Sequence, residues 1–351
     1  MFDGLLTPEP DPAERRARLR LARSRRIGPI TFLEALQHFG SARRACRELK
    51  VVPDAEVARE EQALTELGGR FLVLGDATYP AALAAIPDPP PVLSAIGDQT
   101  LLARPMLAIV GAREASLAGR RFAAELAVAL GRAGFVVVSG LARGIDAAAH
   151  EAALPTGTVG VLAGGIDQVY PAHHLDLQSA IAERGLLLAE SPIGIPPIAR
   201  SFPRRNRIVS GLSAGVIVIE AAERSGSLIT AQRALEQGRE VFVVPGSPMD
   251  PRYAGSNTLI RDGAILARDA NDIISVFGKP QSDRQPVGKP KQIHPDSATE
   301  AVLSELGSIP TAVDELVRRC QVSAATVTEV LLALELDGRL ERHRGNRVSL
   351  I

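Results

Sequence analysis

Four arginines crowd one short stretch of this chain: Arg200, Arg204, Arg205 and Arg207 fall within eight residues, with Phe202 and Asn206 among them. In a chain with only 3% aromatic residues, this pairing suits a single nucleic-acid strand, whose bases stack on a ring while its phosphates meet guanidinium groups. The same arginines can instead form salt bridges within the fold, and Phe202 can be an ordinary core residue. A second candidate follows the apolar run MLAIVG, where Gly111, Arg113 and Ser116 place a close-approach glycine, a cation and a hydroxyl around one phosphate-sized space. The turn SGSLIT offers Ser225, Gly226, Ser227 and Thr230, suited to an anion or to plain helix capping.

Other chemistries lack their residues. GAREASLAG is neither G-x-G-x-x-G nor a Walker loop, which makes dinucleotides and ATP poor candidates. No HExxH pattern occurs among the six histidines. Asp146 and His150 stand one helical turn apart, a spacing that reads as a cap and a helix-face residue rather than a metal pair. No cofactor, no metal and no catalytic residue is expected, and the chain reads as a non-enzyme.

The elements that must position these residues are short apolar runs: 106–111, 135–140, 159–164, 186–191, 214–221 and 240–246, each followed by a helical pattern. Strands apolar on both faces and separated by helices indicate a doubly wound α/β domain with a mostly parallel sheet, over about 106–278. Ligands then bind at the carboxyl ends of the strands, where the runs end in Gly111, Ser139-Gly140, Gly164-Gly165, Glu190-Ser191, Glu220-Ala221 and Gly246. Residues 1–68 read as a small helical module broken by Ile27-Gly28-Pro29, a turn taken as structural in preference to a helix-hairpin-helix that grips duplex phosphates. Prolines at 80, 87 and 89–91 make 69–105 an extended connector. The polar, proline-rich stretch 279–297 reads as a linker. Residues 298–351 show three helical stripes and an alternating end, the pattern of a winged helix whose turn is Gln321-Val322-Ser323.

The composition, 46% hydrophobic and 23% charged, is that of a folded multidomain protein. Its formal net charge of zero means that any nucleic-acid affinity must come from local clustering. Cys46 and Cys320 fall in separate helical segments, which argues against a disulfide framework. An acidic, proline-containing start and the lack of an eighteen-residue apolar run point to the cytoplasm, with no membrane partner.

Taken in order, GAREASLAG, SGLARGIDAAAHEAAL, GGIDQVYP, FPRRNRIVSGLS, VIEAAERSGSLITAQRALEQGREVFVVPG and GSNTLIRDGA resemble the DprA (Smf) family over roughly 70–278. The flanking modules are similar to the family's optional N-terminal helical (SAM-like or helix-hairpin-helix-like) domain and C-terminal winged helix. The resemblance implies a Rossmann-like domain that dimerises, coats single-stranded DNA during natural transformation and loads RecA recombinase onto it. Carried over by position, it implies a phosphate pocket of Gly111, Arg113, Ser116, Ser139, Gly140, Arg143 and Gly144, joined by Phe202, Arg205, Asn206 and Arg207. One departure is visible: YPAHH places His174 where the family commonly has asparagine, and a neighbouring lysine is missing.

Two other readings compete. A phosphoribohydrolase of the lysine-decarboxylase-like fold would resemble PGGxGTxxE, but the comparable turn here is VPGSPMDPRY. A winged-helix transcription regulator would need groove-reading side chains, which SAATVTEVLLALELDG almost lacks.

Overall fold

The computed structural model describes residues 10–278 and, beyond them, 302–307, 311–313, 316, 320, 327, 330, 331, 333–335, 337, 339–343 and 347–350. It divides into two compact units, Met1–Pro280 and Gln281–Ile351.

The first unit is built on a nine-stranded sheet. Its strands are β1 (Gly69–Val73), β2 (Val92–Gly97), β3 (Met106–Gly111), β4 (Val136–Ser139), β5 (Thr158–Leu162), β6 (Leu186–Ala189), β7 (Gly215–Ile219), β8 (Glu240–Val243) and β9 (Ile265–Leu266), in the spatial order β1-β2-β6-β5-β4-β3-β7-β8-β9. Strands β3 to β9 run parallel to their neighbours, whereas β2 is antiparallel to both β1 and β6. The expected doubly wound sheet is therefore present. The chain starts it at β3, winds outward through β4 to β6, then returns to β3's other side with β7. Connections leave β3 and β7 toward opposite faces, so a crevice must open at their carboxyl ends.

Alternation sorts each strand between two cores. Ala108, Val110, Val136, Val138, Val216 and Val218 share one cluster, while Leu107, Ile109, Val137, Ile217 and Ile219 lie in the other. Helices cover both faces: α1 (Pro12–Arg23), α2 (Pro29–Phe39), α3 (Ala42–Glu48) and α4 (Asp54–Glu66) precede the sheet, and α5 (Ala81–Ala84) follows β1. The parallel strands are joined by α6 (Leu117–Arg132), α7 (Ile145–Ala153), α8 (Leu175–Arg184), α9 (Ser201–Leu212) and α10 (Gly226–Glu236), with α11 (Ala254–Arg261) and α12 (Ala270–Phe277) closing the unit.

Two expectations need correcting. Residues 69–105 are not an extended connector, because Phe71, Leu72 and Val73 pair with Ser94, Leu93 and Val92 to add two strands beside β6. The prolines cluster between these strands, where they deny no ladder hydrogen bond. Helices α1–α4 also do not stand apart. Leu21, Phe32, Leu33 and Leu36 join the cluster that holds the sheet's Val136 and Val216, and Arg15 and Arg18 donate to the carbonyls of Phe71 and Leu74.

In the second unit β10 (Thr311–Ala312), β11 (Leu340–His343) and β12 (Arg347–Leu350) form a three-stranded sheet, with β11 and β12 paired as an antiparallel hairpin in the register Leu340 to Leu350. Val302, Leu306, Leu316, Val330, Leu334 and Val348 supply its core. The linker 279–297 and the turn 321–323 lie outside the described residues.

Candidate nucleic-acid interface

A groove of about 1040 Å³ opens at the carboxyl ends of β3, β4 and β7, where the strand order reverses. Gly111, Arg113, Gly140, Arg143, Phe202, Arg205, Asn206, Ser225, Gly226 and Thr230 line it, so the structure brings together ten of the residues singled out from sequence. Within it the Arg113 guanidinium lies 5.2 Å from the centroid of the Phe202 ring. Tyr170, half exposed, packs at a tilt against that ring with centroids 5.3 Å apart. These two rings and Arg113 also wall a smaller cavity of about 160 Å³ with Pro171, His173 and Pro197. Arg113 and Arg143 are exposed and neither forms an ion pair among the described residues. A half-buried ring edged by exposed cations can stack a base and hold phosphates beside it.

Several expected ligands turn inward instead. Ser116 caps α6 by accepting from the Gly119 amide at 2.8 Å, and its hydroxyl donates to Glu220. The Ser116 amide donates to the same carboxylate at 2.8 Å, and the Tyr253 hydroxyl at 3.1 Å. Glu220 is fully buried with φ +55°, so it occupies the anion seat at the positive end of α6. Ser139 is also fully buried and donates to the Ile109 carbonyl at 2.6 Å. Gly144 serves a conformational need, since φ there is +79° and a Cβ would lie 2.3 Å from the Ala112 carbonyl oxygen.

The arginine cluster splits by direction, because successive helical residues point about 100° apart. Arg205 is buried, donating to the carbonyls of Gly140 and Val161 and facing Asp146, whose carboxylate accepts from the amides of Gly140 and Ala142. Burial lowers the Arg205 guanidinium to about 10 and raises the Asp146 carboxyl above its ordinary range. A Cβ on Gly140 would sit 2.5 Å from the Arg205 guanidinium, so this glycine makes room for a structural arginine. Arg207, 3% exposed at its side chain, pairs with Glu190 at 2.6 Å and Asp88 at 3.3 Å. Arg204 points outward, 3.0 Å from Glu190, and does not line the groove. Ser225 caps α10 and shares a 2.7 Å hydrogen bond with the Ser227 hydroxyl, and Asn206 reaches the Gly226 carbonyl at 3.4 Å.

His150 and Asp146 serve different partners. The His150 Nδ1 meets the Thr158 hydroxyl at 2.7 Å, and burial beside the Arg205 charge holds the imidazole down at about 3. His174, at the family's asparagine position, is buried with Nδ1 3.0 Å from the Leu141 carbonyl oxygen. Sequence reasoning overlooked Tyr170, Arg224 and Arg252 as groove residues. The Tyr-Pro pair of GGIDQVYP and the arginine of AERSGS were the available signals.

Residues 70–278, more than half of the chain, match the family described as DNA recombination-mediator protein A. The chain belongs to the DprA family. Residues 12–67 match a DprA-like N-terminal HHH domain and 286–346 the DprA winged helix domain. Among relatives, Protein Smf of Escherichia coli is 40% identical over 280 residues, which cover 78% of this chain and 75% of Smf. The DNA processing protein DprA of Bacillus subtilis is 46% identical over 214 residues, 60% of this chain and 72% of its own. The X-ray structure of DprA from Streptococcus pneumoniae superposes with a TM-score of 0.65 at 34% identity, covering 74% of this chain and 95% of that one. DprA from Helicobacter pylori, solved in a study of its single-stranded DNA binding mode, gives 0.55 at 33% identity, covering 59% and 95%.

Proposed function

We propose that this DprA-family chain binds single-stranded DNA in the groove at the β3–β7 crevice. The observation that carries the reading is the Phe202 ring lining the groove, 5.2 Å from the guanidinium of Arg113, which forms no ion pair among the described residues. Phosphates meet Arg113 and Arg143, a base stacks at Phe202 beside Tyr170, and Ser225, Gly226 and Thr230 line the far end. Gly111, Ser116, Ser139, Gly140, Gly144, Arg205 and Arg207 then act by shaping the rim rather than by touching phosphate. Family membership and the Helicobacter pylori relative's single-strand binding support this reading. We further propose that a homodimer protects strands during natural transformation and passes them to a RecA recombinase.

Polarisation titration with single-stranded and duplex oligonucleotides, run beside a nucleotide-hydrolysis assay, tests it. Single strands should win with little base preference, since the groove presents phosphate contacts and a sequence-tolerant ring. Duplex-selective binding or nucleotide turnover would overturn the reading. A chain ending at 278 should keep most of this binding, because the groove lies wholly in the first unit. RecA nucleation on the coated strand tests the loading step, and an unchanged lag refutes that step alone.

A further inference from the structure

The chain has no net charge, yet residues 12–50 hold eleven Lys and Arg against three Asp and Glu. Part of that excess is consumed in docking the N-terminal helices: Arg15 pairs with Asp76 at 3.0 Å, Arg16 with Asp54 at 2.8 Å and Arg23 with Glu60 at 2.9 Å. Arg18 is buried against Glu14, Arg43 pairs with Asp11 and Glu14, and Arg20 donates to the Val52 carbonyl. Arg25, Arg26, Arg44, Arg47 and Lys50 are exposed and have no acidic partner among the described residues. Arg26 holds a left-handed φ of +66°, a conformation that favours glycine, so a charged side chain is kept at a strained turn.

Of these, Arg26 reaches a cavity next to the groove-bearing helix α9. This cavity of about 360 Å³ is lined from one side by Arg26, Gly28 and Pro29 and from the other by Arg204, Glu190 and Ser191. Arg204 sits on α9 between Pro203 and Arg205, both of which line the groove. Glu190, the acidic group facing this cavity, is already paired to Arg204 at 3.0 Å and Arg207 at 2.6 Å. Gly28 leaves the start of α2 without a side-chain cap, and Pro29, its first residue, has no amide to donate.

We propose that a single strand held in the groove continues past Arg204 and onto the Arg25–Arg26 turn, so that the N-terminal module lengthens the bound segment. The inference rests on single-strand binding in the groove, and its test separates the two. The variant combines Arg25→Ala with Arg26→Gly, the glycine relieving the strained φ, and Arg25→Lys with Arg26→Lys keeps both charges. Thermal unfolding first shows all proteins folded.

Polarisation is then measured on oligonucleotides of about six and about fifteen nucleotides, spanning the usual range of single-strand site sizes. The neutral variant should bind the short strand like the parent. On the long strand, loss of two phosphate contacts should weaken binding about 25-fold at 0.1 M salt and flatten the slope of log affinity against log salt by about 1.4. The lysine variant should keep the long-strand gain. Equal weakening on both lengths, no weakening on either, or a loss confined to duplex would overturn the proposal while leaving groove binding intact. A parent that binds neither strand would instead refute the groove reading itself.

Discussion

Arg113→Ala and Phe202→Ala probe one site by two different physical routes, and their salt responses should separate. Arg113 is exposed and bound to no carboxylate among the described residues, so its removal breaks no ion pair there. Each phosphate contact on a single strand contributes about 0.7 to the slope of log affinity against log salt, which amounts to roughly a fivefold loss at 0.1 M. Arg113→Ala should therefore bind about fivefold more weakly at that salt and converge on the parent near 1 M. Phe202→Ala removes a stacking platform, a loss of about 1–3 kcal/mol that should leave the slope nearly unchanged. Both variants also lose the Arg113–Phe202 contact at 5.2 Å, worth about 0.5–1 kcal/mol at an exposed site. The double variant should therefore fall short of the sum of the two losses. Polarisation at four or more salt concentrations reads both quantities, after thermal unfolding has shown the Phe202–Tyr170 wall to tolerate truncation. A folded Arg113→Ala protein with parental affinity at every salt would refute the phosphate assignment at its central residue.

Three further outcomes follow from the inward-facing groups. Ser116→Ala should cost about 1 kcal/mol of stability by removing the α6 cap, yet leave DNA affinity unchanged, since its hydroxyl serves Glu220. A weaker affinity of the folded variant at every salt would return Ser116 to the phosphate contacts. Arg205→Met should destabilise the fold by about 3–5 kcal/mol in denaturant unfolding, because Asp146 is then left buried without its cation; a loss of binding alone would contradict this. His150 titrates near 3 when folded and about 6.5 when unfolded, so the unfolded chain binds the extra proton as pH falls. The sign makes the parent less stable by about 2 kcal/mol at pH 5 than at pH 7 through this group. In His150→Gln that increment should vanish from unfolding midpoints, with the Asp146 contribution common to both proteins.

The parallel strands were legible because burial on both faces writes a continuous apolar run, as in Leu107-Ala108-Ile109-Val110. Strands β1 and β2 were not. Their apolar residues match the others, but the prolines between them mimic a linker, and only the long-range pairing of Val73 with Val92 shows otherwise. The groove residues were visible by type, since Arg113, Phe202 and Ser225 stand where strands turn into helices. Direction was hidden. Arg204, Arg205 and Arg207 are equivalent letters in sequence, and their fates are set by distant partners such as Glu190, Val161 and Asp88. Ser116 shows the limit most plainly, since its partner Glu220 lies 104 residues away in sequence and no local pattern announces it.

The buried Glu220 carboxylate has a consequence for competition between ligands. A doubly wound sheet ordinarily offers the amides at its first helix to a nucleotide's diphosphate, but here the chain fills that berth with its own anion, bound by Ser116 and Tyr253. A free nucleotide finds no helix end to claim there. What remains along the rim is spread over separate guanidinium groups and two neighbouring rings, an arrangement that rewards a polymer able to touch several at once and gives a monomer little to hold.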